Sequence, residues 1–126
     1  RHRMFANLAY ATAKTLEEAN WTFDLTGQWI GKQRIPSTVD NEIENQRSSE
    51  SPSFMLFNAQ ITRNFNKRWA VYGGMENIFN YRQENPIIDA NNPFGNDFDA
   101  SMVWGPIFGR MVYGGLRYNL QKKPKE

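Results

Sequence analysis

From Trp21 the apolar side chains fall on alternate positions, Trp21, Phe23, Leu25 and Trp29 with Gly27 in phase, while Thr22, Asp24, Thr26 and Gln28 fill the positions between. Successive side chains of a strand point to opposite faces, so this period of two predicts a strand lying between two unlike environments. A helix would put Trp21, Asp24 and Leu25 on neighbouring faces and leave no coherent apolar stripe. The alternation recurs over residues 55–62, where Met55, Phe57, Ala59 and Ile61 share one phase, and over 69–76, where Trp69, Val71, Gly73 and Met75 do. It returns near the end in Val112, Gly114, Leu116, Tyr118 and Leu120. A further strand is expected over residues 3–12, its period blurred by Ala6, Ala9 and Ala11. The pattern predicts an all-β chain, an antiparallel up-and-down meander of about five strands.

The connections alternate in length. Residues 13–20 form a short polar link, and Asn66 and Lys67 make a tight turn between Phe65 and Arg68. By contrast, residues 36–52 are long, polar and rich in Ser, Asn and Glu, and residues 80–106 are longer still, broken by Pro86, Pro93, Gly95 and Gly105. Short turns at one end and long loops at the other are the habit of outer-membrane β-barrels, whose periplasmic turns are short and extracellular loops long. The strands are therefore expected to be the C-terminal part of a larger transmembrane barrel, with residues 121–126 as a periplasmic tail. Trp21, Phe65, Trp69 and Tyr118 then fall at the periplasmic strand ends, and Trp29, Phe79 and Phe108 at the outer ends, where amphipathic rings suit an interface. A soluble antiparallel sheet with one face on a core is the alternative. It accounts equally well for the alternation, and less well for the loop asymmetry and the placed aromatics.

Composition alters this picture little. The mean hydropathy of −0.70 would suggest a water-soluble chain, but alternating membrane strands and long polar loops lower that average in a barrel. No apolar run is long enough for a transmembrane helix, and residues 1–10 lack the apolar core of a signal peptide. Cysteine is absent, which excludes disulfide scaffolds and thiolate metal sites. A net charge of +2 on scattered Lys and Arg gives no basic face for nucleic acid, and Lys122, Lys123 and Lys125 read as a solvated tail.

Candidate chemistry is sparse. One histidine, His2, cannot supply a catalytic triad or a two-histidine metal set, so no catalytic residue, no metal site and no cofactor is expected. Glu76 is expected to face inward, with Arg110 or Arg117 as its partner. The run from Asp89 to Asp99 invites a calcium reading through Asp89, Asp97 and Asp99, but Pro93 and Ala100 break the EF-hand spacing and a turn-rich loop accounts for it better. Long loops on a rigid scaffold carry recognition, so Phe94, Phe98, Met102 and Trp104, apolar with no obvious core to join, are the candidates for ligand contact. Packing on other loops is the competing reading of those four. Asn20-Trp21-Thr22 matches a glycosylation sequon of little weight.

Three segments carry a family resemblance. Gly115, Tyr118 and Leu120 are similar to the C-terminal assembly signal of outer-membrane barrels, with Leu120 in place of the usual Phe. The run Tyr72-Gly73-Gly74-Met75-Glu76-Asn77-Ile78-Phe79-Asn80-Tyr81 resembles a strand motif of TonB-dependent receptors, in particular those of Bacteroidetes type. Trp104-Gly105-Pro106-Ile107-Phe108-Gly109-Arg110 resembles their last extracellular loop returning to the membrane. The resemblance implies a bacterial outer-membrane importer of a scarce nutrient, with a barrel of about twenty-two strands and a plug that engages TonB. Its expected partners are outer-membrane lipid, the rest of the barrel and the plug, TonB acting through that plug, and a small-molecule ligand.

Overall fold

A computed structural model describes residues 2–120; the basic tail, residues 121–126, lies outside the described residues. Five strands form one sheet in chain order: β1 Arg3–Ala11, β2 Asn20–Ile30, β3 Phe54–Asn64, β4 Trp69–Glu76 and β5 Met111–Tyr118. Every neighbouring pair is antiparallel. Among the described residues the one helical turn is a 3-10 segment, Ile43–Asn45. The expected meander is therefore present, and the sheet is open, since β1 and β5 do not pair with each other.

The register aligns the alternations of the separate strands. Leu8 pairs with Leu25, Leu25 with Ala59, Ala59 with Met75 and Met75 with Val112. Paired residues share a face, so the apolar phase of every strand lands on the same side. A slip of one residue in any pair would break this continuity. The opposite side carries Asn7, Asp24, Thr26, Asn58, Gln60, Thr62, Tyr72 and Arg117.

Burial runs against the usual order. Each buried strand residue, Asn20, Ile30, Phe54, Thr62 and Ala70, lies on the polar side. No strand residue of the apolar side is buried: Leu8 is 68% exposed, Val112 72% and Leu116 63%.

Two corrections concern element ends. The β3–β4 turn is one residue longer than expected: Phe65 N donates to Trp69 O, leaving Asn66 to Arg68 as the loop. Asn66 Oδ1 accepts from the amides of Arg68 and Trp69, the reason an Asn stands there. The last strand stops at Tyr118 rather than Leu120. Asn119 still donates to Arg68 O, but Leu120 is 89% exposed and outside the sheet.

Candidate functional site

Both long loops rise from the same end of the sheet. The first begins as a continuation of the β2–β3 hairpin: Ile35 N donates to Ser49 O, Ser51 N donates to Gln33 O, and Gln33 N donates to the Ser51 hydroxyl oxygen. The second is held by side chains. Asn77, in the left-handed region at φ 50°, is buried and accepts from Tyr81 N at 2.9 Å while donating to Tyr81 O at 2.7 Å and Phe108 O at 3.4 Å. Asn80 Oδ1 accepts from Arg110 N, so the departing and returning arms are tied together. Asn77 and Asn80 of the 72–81 motif thus act as backbone clamps, and Phe79 packs edge-on against Phe57.

Gln83 organises the returning arm. Its Oε1 accepts from Trp104 N and Gly105 N, its Nε2 donates to Met102 O at 2.7 Å, and its backbone N donates to Pro106 O. Below it Phe54 stacks on Tyr81 at 4.8 Å and touches Trp104 at 5.9 Å. Burial is the main cause that raises the Tyr81 phenol above its ordinary pKa, with Glu84 adding to it. A cavity of about 170 Å³ runs between the loops, lined by Ile35, Arg47, Glu50 and Pro52 on one side and Glu84, Ile88, Met102 and Trp104 on the other. That is below the roughly 300 Å³ at which small-molecule sites begin. The loops also meet at their tips, where Asp97 Oδ2 accepts from Glu42 N and Asn45 Nδ2.

The four candidate contact residues do not form one cluster. Met102 and Trp104 line the seam, and Trp104 has a core to join after all, on Phe54 and under Gln33, whose amide donates to Trp104 O. Phe94 stands at the tip, 98% exposed, and Phe98 is 37% exposed nearby. The aspartates are engaged by other groups: Asp97 serves the first loop, and Ser101, through its side chain first and its backbone N second, holds the Asp99 carboxyl below its ordinary pKa. Among the described residues no cluster of acidic and His side chains could hold a metal ion. Local spacing could not reveal Gln83, because its partners lie on returning chain.

Three further expectations meet different partners. Glu76 lies on the polar side as expected, but neither arginine pairs with it: Arg117 lies over the Tyr72 ring at 5.6 Å, and Arg110 Nε donates to Ile78 O. Gly115 and Gly74 are accounted for by tyrosines of the facing strand. Tyr72 covers Gly115 and Tyr113 covers Gly74, reaching Gln60 with its hydroxyl. Asn20 of the sequon is buried and accepts from Asn64, a poor position for a glycan.

The short-turn end carries an aromatic belt on the apolar side. Tyr10, Phe23 and Trp21 neighbour one another at 6.2 and 6.3 Å, and Trp69 meets Tyr118 at 4.5 Å. Arg63 sits between the two groups, its guanidinium 5.0 Å from the Trp21 ring and 5.8 Å from Phe65. Beyond the belt, Glu18 bridges the two turns through Lys14 and Lys67, and those contacts, Lys67 first, hold its carboxyl below the ordinary range. Comparison with protein-family models, curated proteins and solved structures finds no match for this chain.

Proposed function

We propose that the chain is part of the barrel of a TonB-dependent receptor in the bacterial outer membrane, a transporter for a scarce nutrient such as an iron chelate, haem, cobalamin or an oligosaccharide. The inverted burial of the sheet carries this reading: its apolar side is open from β1 to β5, and its polar side holds the buried residues. In water such a face must be covered; in a barrel it meets lipid while the polar side lines the lumen.

Strand lengths agree with a membrane crossing. β2 and β3 have 11 residues each. At about 3.3 Å per residue and a tilt near 45°, such a strand crosses about 26 Å, close to the apolar band of an outer-membrane barrel. Five strands are too few to close, since the smallest barrels use about eight, so both sheet edges await partners from the rest of the barrel. In this account the long loops are extracellular. Ligand binds among them and the plug, TonB drives the plug to rearrange, and the ligand passes through the lumen without catalysis by this chain. The exposed Phe94 and Phe98 remain the better ligand contacts; Met102 and Trp104 serve the loop seam.

Purified chain of residues 1–126 should need detergent to remain in solution and should show no cooperative melt as a monomer in plain buffer. A stable, detergent-free monomer with a cooperative transition overturns the proposal. In a receptor carrying this segment, a short turn in place of residues 80–106 should weaken ligand binding; unchanged affinity removes that loop from the site.

A further inference from the structure

On the apolar side of the sheet only one strand residue is charged, Arg63, and it stands at the short-turn end in line with Trp21 and Val71. Charge on the lipid-facing side is costly at mid-membrane and cheap near the interface. An arginine there can lay its stem along the apolar boundary and extend its head to the level of the lipid headgroups. The rings of Trp21 and Phe65 flank the guanidinium. Ring faces attract its charge but give its N–H groups no conventional acceptor. The nearby carboxylate of Glu18 is taken up by two lysines, Lys14 at 3.3 Å and Lys67 at 3.2 Å. Among the described residues no carboxylate forms an ion pair with Arg63.

We propose that Arg63, Trp21 and Phe65 form a site for the phosphate of an anionic phospholipid in the leaflet that meets the short turns. This inference rests on the membrane reading given above. The planar guanidinium matches phosphate oxygens through two parallel N–H bonds, a geometry that an ammonium group lacks. The rings orient it, and their own bodies pack where headgroup gives way to acyl chain. A net-anionic headgroup is favoured over a zwitterionic one because Arg63 brings an uncompensated positive charge. A basic residue near a membrane surface contributes about 1 kcal/mol, or about fivefold in occupancy.

The test is lipid retention by the chain transferred from mixed micelles containing equal phosphatidylglycerol and phosphatidylcholine, read by native mass spectrometry. The unmodified chain should retain phosphatidylglycerol about fivefold over phosphatidylcholine. R63Q and R63M should bring the ratio near parity, R63M keeping an unbranched stem against both rings, while R68Q at the turn should leave it unchanged. Equal retention of the two lipids by the unmodified chain overturns the site without recourse to any variant. So does undiminished selectivity in either Arg63 variant, or displacement of the lipid by inorganic phosphate, which would make the ligand a soluble anion. A chain that retains neither lipid and stays dispersed without micelles overturns the membrane reading instead.

Discussion

Four glycines on β4 and β5 should respond very differently to one added methyl group. Gly73 and Gly114 face each other on the apolar side, and a Cβ on either would lie 3.8 Å from Tyr113 O or 3.4 Å from Tyr72 O, ordinary contact. Replacing a strand glycine by alanine removes freedom from the unfolded chain, so G73A and G114A should each stabilise the protein by about 0.5 kcal/mol. On the polar side, a Cβ at Gly115 would come within 2.6 Å of Tyr72 Cζ and 3.0 Å of Cε1. That ring can swing away, at an overpacking cost of about 1 kcal/mol that the alanine gain partly offsets. A Cβ at Gly74 meets the Tyr113 ring and also the backbone oxygen of Ala59 at 2.9 Å. Backbone cannot rotate aside, so β3 and β4 must separate, and G74A should cost about 2 kcal/mol net. The assay is urea unfolding in detergent micelles followed by tryptophan emission. G73A and G74A should differ by about 2.5 kcal/mol, and G115A should lose its cost in a Y72A background whereas G74A should keep most of its cost in a Y113A background. Equal effects of G73A and G74A would refute this account of the sheet register.

Other consequences follow from the loop clamps and the turns. N77A should destabilise by about 2–3 kcal/mol, because it removes both bonds to Tyr81 and leaves alanine at φ 50°; the urea midpoint measures it, and N77D, which keeps the bond from Tyr81 N, should lose less. Q83L conserves bulk but leaves Trp104 N, Gly105 N and Met102 O without their partner. Its penalty of about 2–4 kcal/mol is local to the loop, so proteolysis between residues 84 and 104 should accelerate while the strands remain resistant. Glu18 is depressed in the folded state, so its contribution is fully present above the ordinary glutamate pKa and lost as pH falls through the lowered value. The amide resonances of Thr15 to Ala19 should shift in that acid window, and E18Q should abolish the shift.

The strands were legible because a period of two is a local property, and the register then placed five separately read alternations on one side. The Asn66 turn was legible for the same reason. What escaped reading depends on chain that returns from a distance. Gln83 bonds to residues 19 to 23 positions away, and Asp97 clasps residues more than 50 positions earlier. Nothing in the spacing of Trp104 shows that Phe54 lies beneath it. The Glu76–arginine pairing failed because charge complementarity alone ignores reach: the side chain of Arg117 finds Tyr72, two residues along its neighbouring strand from its paired Ala70. Leu120, in phase with the apolar side, left the sheet because β4 offers no residue beyond Trp69 to pair with it.

The central claim is that the two sides of this sheet face lipid and water respectively. The chain contains no cysteine, so single cysteines can be placed at each position from Phe57 to Thr62 and spin-labelled in vesicles. Accessibility to dissolved oxygen, which concentrates in lipid, should peak at residues 57, 59 and 61. Accessibility to a water-soluble nickel chelate should peak at 58, 60 and 62. Two patterns of period two in opposite phase are the predicted result; uniform access to the chelate along the whole strand would contradict it.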